Sequence, residues 1–252
     1  MKKPERIELF KVPIDRLTMQ ETLHWVEFAI NERKQISHAA VNAGKIVSML
    51  RDPILYKSVV AADIISPDGM VIVWASKLFG KSLPERVSGI DLMENVLNLA
   101  SQNGYKVFFF GAKEEIVQKV AQFYSKKYSD KVIAGFRNGY FEMSESEKIA
   151  TQINSSGADI LLVAITSPHK ENFLYEHREL LRDVSFIMGV GGSFDVVSGS
   201  LKRAPNWMQN NGLEWLFRWV QEPRRLFKRY FWGNLEFAWI IIKEVFSKNN
   251  PP

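Results

Sequence analysis

The sequence predicts an α/β protein with a Rossmann-like, mostly parallel sheet that carries helices on both faces, followed by a C-terminal helical appendage. Strand-like apolar runs alternate with helical patterns over residues 7–195, which is typical of parallel strands joined by crossover helices. From Leu201 onward the composition changes, because cationic and aromatic residues interleave. We therefore predict a core over residues 1–200 and a basic, aromatic appendage over residues 201–252.

The composition limits the classes of function. Of the 252 residues 46% are apolar, enough for a sizeable core, and the formal net charge of +5 favours anionic partners. The chain has no cysteine, which excludes disulfides and thiolate chemistry. Its four histidines lack the spacing of zinc ligands, and no apolar run reaches the roughly 18 residues of a membrane-spanning helix. We expect neither a bound metal nor a spanning segment.

The first predicted elements are a strand and a helix. Apolar and polar residues alternate over residues 7–12, and Pro13 bends the chain out of this strand. Thr18, followed three residues later by Glu21, has the pattern of a capping box. This pattern predicts a helix that continues to about Ile30.

Asn42 follows the next predicted strand, residues 36–41, and precedes a helical segment that begins near Lys45. A side-chain amide at this position can form a hydrogen bond with a ligand. Asparagine also closes Asx turns and caps helices, so the sequence leaves both interpretations open.

Asp68 lies in a predicted tight turn between a strand and a helix. The turn has the sequence SPDG (residues 66–69), in which Pro67 fixes φ and Gly69 permits a positive φ. An apolar helical run over residues 70–79 follows. Ligands of α/β folds collect at such strand ends, where a carboxylate can act as a general base. Asp68 is therefore a candidate base, and the alternative is that it only caps the following helix.

A predicted loop downstream contains Arg86, Gly89 and Asp91, residue types suited to binding an anion and ordering a backbone. A helix is predicted from Leu92 to Gln102. The Asn-Gly pair after it is a helix C-cap signal.

A glycine follows the next strand. The apolar run 106–110 predicts a buried strand, Gly111 opens the loop after it, and a helix is predicted over residues 114–128. Backbone N–H groups at the start of such a helix can bind phosphate. The full dinucleotide-binding glycine motif is absent, so the loop can equally be a tight connection.

The second half of the core continues the alternation, with strands predicted over 131–135, 158–165 and 186–190 and a helix over 145–155. Two polar loops after these strands are the segments 166–171 and 191–195. Because the carboxyl ends of parallel strands share one edge of the sheet, we expect the polar loops to line one pocket. The candidate binding residues are Asn42, Gly69, Arg86, Asp91, Gly111, Lys170, Glu171, Gly191, Gly192, Asp195 and Arg203.

The appendage admits three interpretations. Its aromatic residues alternate with the cations Lys202, Arg203, Arg218, Arg224, Arg225, Lys228 and Arg229. Such a segment can lie in a membrane interface, stack on single-stranded nucleic acid, or pack on the core as a helical hairpin with solvated arginines.

Several short motifs occur in a specific order along the chain. They are Asn42; Pro67-Asp68-Gly69; Arg86-x-x-Gly89-x-Asp91; Asn138-Gly139-Tyr140-Phe141; Ser167-Pro168-x-x-Glu171; Gly189-Val190-Gly191-Gly192-x-Phe194-Asp195; Arg203-Ala204-Pro205; and Gly212-Leu213-Glu214-Trp215. The ordered set resembles the WecB/TagA/CpsF glycosyltransferases, and the resemblance covers the chain from about Ile7 to Tyr230.

The resemblance implies an inverting, metal-independent transferase that needs no cofactor. It implies a UDP-sugar donor, often UDP-N-acetylmannosamine, and a polyprenyl-diphosphate-linked sugar acceptor. The reaction would take place at the cytoplasmic face of the bacterial membrane, in the synthesis of teichoic acid, common antigen or exopolysaccharide.

The resemblance also assigns roles to residues. Asp68 is the implied general base, and Asn42 lies near the donor. The appendage is expected to cover the active site, to direct Arg218, Arg224 and Arg225 to the diphosphate, and to dock on an anionic membrane surface, to which Lys228 and Arg229 contribute charge. The resemblance also implies that copies of the chain associate as a homo-oligomer, and it implies no nucleic-acid partner.

Two positions depart from the family pattern. Lys170 stands where a glutamine is usual, and Ala40 stands where a threonine is usual. An amide both donates and accepts hydrogen bonds, whereas an ammonium group only donates them and adds charge. We therefore expect the donor hexose or N-acetylhexosamine to differ from N-acetylmannosamine, and to be a different hexose or one with an acidic group.

Two other classes of function remain open. One is a non-catalytic nucleotide- or nucleic-acid-binding module, which would not require Asp68 in its turn. The other is a UDP-binding but inactive scaffold of a polysaccharide-synthesis complex, which the departures at Lys170 and Ala40 keep open.

Overall fold

A six-stranded parallel sheet forms the centre of the molecule in a computed structural model that describes residues 3–227 and 232–249. The strands are β1 (Arg6–Leu9), β2 (Val12–Asp15), β3 (Ile36–Val41), β4 (Ile64–Pro67), β5 (Val107–Gly111), β6 (Ile133–Arg137), β7 (Ile160–Ala164) and β8 (Phe186–Gly189). The large sheet has the order β4-β3-β8-β7-β5-β6, and β1 and β2 form a separate hairpin. The predicted α/β class with a Rossmann-like parallel sheet is confirmed.

Helices connect the strands and continue beyond the last of them. They are α1 (Met19–Asn31), α2 (Ala43–Arg51), α3 (Pro53–Val60), α4 (Met70–Leu78), α5 (Gly89–Asn103), α6 (Glu114–Lys127), α7 (Ser146–Asn154), α8 (His169–Glu176), α9 (Ser193–Val197), α10 (Asn206–Asn210), α11 (Glu214–Gln221), α12 (Pro223–Phe227) and α13 (Gly233–Asn249). The predicted capping box is present at α1. The side chain of Thr18 accepts a hydrogen bond from the backbone N–H of Glu21, and the side chain of Glu21 accepts one from the backbone N–H of Thr18.

Alternate side chains of the central strands pack on opposite faces of the sheet. Phe109 and Leu162 belong to a core cluster with α1, α5 and α6, whereas Phe108 and Leu161 belong to a cluster with α7 and α8. Strands that are buried on both faces read as continuous apolar runs, which is why these segments were recognisable in the sequence.

The C-terminal helix α13 packs on the first part of the chain. Phe237 of α13 is buried and contacts Phe10 with ring centroids 5.1 Å apart, in a core cluster that also contains residues of α2 and α4. Residues far apart in sequence therefore share one hydrophobic cluster at this side of the sheet.

The predicted single strand over residues 7–12 is wrong. Phe10 and Lys11 adopt positive φ values of 53° and 63° and reverse the chain, so that Leu9 pairs with Val12 and Glu8 pairs with Pro13. Two positive φ values are what a two-residue hairpin turn requires. The usual glycine or asparagine signal is absent here, and the packing of Phe10 on Phe79 and Phe237 holds the turn instead.

Other predicted element boundaries also differ from those in the structure. Gly89 and Asp91, predicted in a loop, lie in the first turn of α5, and Lys170 and Glu171, predicted in a polar loop, lie in the first turn of α8. Helix α3 was not predicted, although Asp52 caps its first two N–H groups and Pro53 is its first residue.

Candidate active site

A cleft of about 790 Å³ opens at the carboxyl edge of the sheet. Residues that follow each of the six strands line it, namely Asn42, Asp68, Ala112, Tyr140, Thr166 and Gly191. The C-terminal segment forms the remaining wall with Arg203, Glu214, Arg218, Glu222 and Leu226. The structure thus brings together residues that are up to 186 positions apart in the sequence, the distance from Ala40 to Leu226.

Asp68 is held rigidly at the end of β4. Its backbone N–H donates to the carbonyl of Val41 at 2.7 Å, which continues the ladder between β4 and β3. Its carboxylate oxygen Oδ1 accepts a hydrogen bond from the backbone N–H of Gly89 at 3.2 Å. Asp68 therefore caps α5 rather than its own helix, because Gly69 is the N-cap of α4 and makes no side-chain capping bond.

The surroundings of Asp68 make its carboxyl group a weaker acid than that of an ordinary aspartate. Burial raises the pKa of Asp68 to about 6, and the negative charge of Glu214 acts in the same direction. The hydrogen bond from Gly89 and the charges of Arg86 and Lys45 oppose this rise in pKa. A carboxylate with a pKa near the working pH can accept a proton efficiently and still be ionised before the reaction.

Asn42 lies beside Asp68 in the wall of the cleft and also caps a helix. Its Oδ1 accepts a hydrogen bond from the backbone N–H of Lys45 at 3.0 Å, so the capping interpretation is confirmed. Capping fixes the side-chain oxygen, and the residue nevertheless lines the cleft. Both roles proposed from the sequence are compatible with this position.

An alternating row of charges lies behind Asp68. Arg86 donates from Nη1 to Oε2 of Glu214 at 3.0 Å and lies 3.5 Å from Asp91 through Nη2. Arg203 donates to the other carboxylate oxygen of Asp91 and, at 3.0 Å, to Gln209. Arg86 and Asp91 do not line the cleft itself. They connect α5 to the C-terminal segment.

Arg218 reaches from α11 to the loop after β8. Its Nη2 donates to the carbonyl of Gly192 at 3.1 Å, and a Cβ atom on Gly192 would lie 3.0 Å from its Nη1. Gly191 has a positive φ of 54°, which favours glycine. The guanidinium group of Arg218 is thus placed over the Gly191–Gly192 backbone inside the cleft, and Asp195 lines the cleft nearby in α9.

Lys170 and Glu171 form a buried charged cluster with Lys45. Oε1 of Glu171 accepts from Nζ of Lys45 at 2.6 Å and lies 3.3 Å from Nζ of Lys170. Burial alone would raise the pKa of Glu171, but the two ammonium groups hold it down to about 2. The stem of Lys170 crosses Gly189, where an added Cβ would lie 2.5 Å from its Cε. Lys45 and Lys170 line the cleft, and Glu171 lies behind them.

His38 lies beneath this cluster and is not a candidate base. It is buried, its Nε2 is 3.0 Å from Oγ of Ser66, and burial lowers its pKa to about 3, helped by the charges of Lys45 and Lys170. The imidazole is therefore neutral at ordinary pH.

Two predicted glycines have roles in the backbone. Gly69 has a φ of 171°, which is extended, so the turn does not use the left-handed conformation that glycine permits. Gly111 has a φ of 125°, and an added Cβ would lie 2.5 Å from the carbonyl carbon of Ala164. Gly111 thus permits the close approach of β5 and β7, and the neighbouring Ala112 and Lys113 line the cleft in its place.

The predicted diphosphate-binding and membrane cations have different positions. Arg218 lines the cleft, whereas Arg224 is exposed in α12 and is not among the lining residues. For Arg225 the structure describes the backbone, which continues α12. Lys228 and Arg229 lie outside the described residues.

Sequence reasoning gave no role to several cleft residues, among them Lys45, Tyr140 and Glu214. Lys45 follows Asn42 by three positions, and the signal was a cation in the first turn of a helix after a strand. Tyr140 and Glu214 were present in the motifs without an assigned role; Tyr140 is 71% exposed and lines the cleft mouth.

Within residues 3–227 and 232–249, no three or more acidic or histidine side chains come together as a metal-binding group.

Among the helices that the structure describes, none combines the length and apolar character that a membrane crossing requires.

Together these features are typical of a Rossmann-like enzyme that binds a ligand at the carboxyl edge of its sheet. A model of the glycosyl transferase WecG/TagA/CpsF family matches residues 7–251. The chain belongs to this family and is a glycosyltransferase.

Two curated relatives carry the same name, N-acetylglucosaminyldiphosphoundecaprenol N-acetyl-beta-D-mannosaminyltransferase. The relative from Bacillus subtilis strain 168 is 32% identical over 210 residues, which are 83% of this chain and 80% of the relative. The relative from Bacillus spizizenii strain W23 is 36% identical over 171 residues, which are 68% of this chain and 65% of the relative.

Proposed function

We propose that this protein transfers a hexose or N-acetylhexosamine, similar to N-acetylmannosamine, from a UDP-sugar to a polyprenyl-diphosphate-linked sugar, with inversion. The relatives are named for transfer to N-acetylglucosaminyldiphosphoundecaprenol, so the acceptor class follows from that likeness. The product would enter a bacterial cell-surface polysaccharide such as teichoic acid, common antigen or exopolysaccharide. The observation that carries the proposal is Asp68, a carboxylate of raised pKa in a cleft at the strand ends.

Asp68 acts as the general base in this proposal. The acceptor hydroxyl attacks the anomeric carbon of the donor sugar, and its proton passes to the carboxylate of Asp68. The bond from the anomeric carbon to the diphosphate oxygen breaks, and UDP leaves with the bonding electrons. Attack on the face opposite to the leaving group inverts the anomeric configuration.

The growing charge on the leaving diphosphate requires cations. Among the residues that the structure describes, six cations line the cleft: Lys45, Lys113, Lys119, Lys170, Arg203 and Arg218. We propose that Arg218 contacts the diphosphate, because an arginine fork suits phosphate oxygens and its guanidinium group already lies over Gly192. Neutralisation by these side chains would make the reaction metal-independent.

We further propose that the C-terminal segment holds the enzyme at the cytoplasmic face of an anionic membrane. The face of α13 opposite to Phe237 presents Leu235, Trp239, Ile242 and Phe246, which are all exposed, next to the exposed Trp232. Aromatic residues with neighbouring cations favour the headgroup region of a bilayer.

A truncation tests the membrane role. Protein that ends at residue 200 is expected to lose both co-sedimentation with anionic vesicles and sugar transfer. Retained co-sedimentation would refute the membrane role of the tail. A homo-oligomer remains a prediction, and sedimentation velocity with and without the tail measures it.

The donor sugar is expected to depend on Lys170. Its ammonium group shares Glu171 with Lys45, so three charges with a net charge of +1 lie at this wall of the cleft. An additional cation favours a sugar that presents an acidic or strongly accepting group. Lys170→Gln should therefore change the order of preference among UDP-sugars, and an unchanged order would refute this assignment.

The experiment that tests the function is a UDP-release assay over a panel of UDP-sugars. It uses a short-chain polyprenyl-diphosphate sugar as acceptor and contains EDTA. We expect acceptor-dependent release with one preferred donor, and release that occurs only when EDTA is omitted would refute metal independence. UDP binding without transfer to any acceptor would favour the non-catalytic scaffold instead.

A further inference from the structure

Glu214 is a carboxylate of the C-terminal segment that lines the cleft. It is the first residue of α11, it lines the same cleft as Asp68, and its Oε2 accepts a hydrogen bond from Arg86 at 3.0 Å. The Arg86 side chain is 14% exposed and that of Glu214 is 29% exposed. This ion pair therefore joins the core to α11 at a largely enclosed position.

The arginine that Glu214 binds is shared with a second acid. Arg86 lies 3.5 Å from Asp91, but Asp91 also accepts a hydrogen bond from Arg203. The row Glu214–Arg86–Asp91–Arg203 therefore contains two acids and two arginines, and its charges balance. Removal of the Glu214 charge alone would leave one uncompensated positive charge beside Asp68.

The charged groups that face Asp68 come from three parts of the chain. Glu214 in α11 is negative, whereas Arg86 before α5 and Lys45 in α2 are positive, and the backbone N–H of Gly89 donates to the carboxylate. Glu214 is the negative member of this set. A positive surplus would stabilise the Asp68 carboxylate and make it a poorer proton acceptor.

We propose that Glu214 is a positioning residue: its carboxylate neutralises Arg86 beside Asp68, so that Asp68 can accept the proton of the acceptor hydroxyl. The inference rests on the proposed function, because it assigns Glu214 a role through Asp68. It goes beyond that function by linking the C-terminal segment to the proton transfer itself. The ordinary explanation, that Glu214 complements the dipole of α11, predicts no effect on Asp68.

Glu214→Gln tests the proposal, because it removes the charge and keeps the size of the side chain. The titration of the Asp68 carboxyl group is measured by carbon-detected NMR, with Asp68→Asn identifying its signal. We expect the titration midpoint to fall by roughly half a pH unit or more. Where transfer is measurable, the acid limb of the kcat/KM profile should move to lower pH by the same amount.

Three variants separate electrostatics from structure. Glu214→Asp keeps the charge and should retain a midpoint close to that of the parent. The double variant Arg86→Gln/Glu214→Gln removes both charges and should return the midpoint towards the parental value. If the role of Glu214 were purely structural, the double variant should instead shift the midpoint further from the parental value than Glu214→Gln does. Glu147→Gln, which removes a glutamate from the first turn of α7 outside the cleft, is the matched control and should leave the midpoint unchanged.

An Asp68 titration in Glu214→Gln that superimposes on that of the parent would overturn the inference. This outcome differs from failure of the proposed function, which is measured by the turnover of Asp68→Asn. If Glu214→Gln does not fold, Glu214→Asp and the double variant still give the comparison, and equal midpoints in the double variant and in Arg86→Gln alone would also overturn it.

Discussion

Asp68 and Glu171 are two carboxylates at the same edge of the sheet, and their surroundings give them opposite properties. Asp68 has one backbone N–H donor and a negative neighbour, Glu214, and its pKa is raised to about 6. Glu171 lies between Lys45 and Lys170, and its pKa is lowered to about 2. Burial acts on the pKa of both carboxylates in the same direction, so the neighbouring charges decide which acid accepts a proton and which remains a fixed charge.

The largest expected effect is the loss of transfer in Asp68→Asn. An amide cannot accept the acceptor proton, so we expect kcat to fall by about 10²- to 10⁴-fold in the UDP-release assay, without loss of the fold by circular dichroism. Parental turnover of this variant would reject Asp68 as the base. Asp63→Asn is a control in the same part of the chain, because Asp63 pairs with Arg178 at the protein surface and does not line the cleft.

Glu171→Gln should damage stability rather than proton transfer. It leaves Lys45 and Lys170 buried near each other without their shared carboxylate, and breaking a buried ion pair costs about 3 kcal/mol or more. The free energy of unfolding in urea measures this cost. Glu176→Gln, at the exposed end of the same helix, should change it by less than about 0.5 kcal/mol.

The cost in Glu171→Gln should depend on pH with a defined sign. The pKa of Glu171 is lower in the folded protein than in the unfolded chain, so its contribution is complete above about pH 4.5 and declines as the pH falls towards 2. A difference between parent and variant that stays constant from pH 7 to pH 3 would contradict the lowered pKa.

The smallest expected effect is a gain in stability in Asp68→Asn. The pKa of Asp68 is raised in the folded protein, so ionisation opposes folding once the pH rises from about 4 through 6. Because Asp68 is half-buried and lines the open cleft, we expect a gain of about 1 kcal/mol at pH 8 rather than the full value of the pKa shift. No gain is expected at pH 4, and a variant that is equally stable or less stable than the parent at pH 8 would contradict the raised pKa.

The sequence determined the elements whose signals are local. The strand over Ile36–Val41 was predicted with its observed bounds, and the helix after Thr18 was predicted from its capping box. Continuous apolar runs marked the strands buried on both faces, and proline and glycine marked the ends of several elements. Asp68 was placed at a strand end for the same reason, because a turn of sequence SPDG between two apolar segments fixes where a side chain emerges.

The tertiary structure decided what the local signals leave open. The turn at Phe10 and Lys11 depends on contacts of Phe10 with Phe79 and Phe237, and it contains no glycine or asparagine from which it could be predicted. Lys45 and Glu171 are 126 positions apart, and Arg86 and Glu214 are 128 positions apart. No local sequence pattern extends over such distances. The pKa of a buried carboxylate depends on charges within a few ångströms, and which charges come that close is set by the packing of distant segments. The sequence therefore identified Asp68 as a candidate base. The fold supplied the burial and the neighbouring charges that raise its pKa into the range suited to a general base.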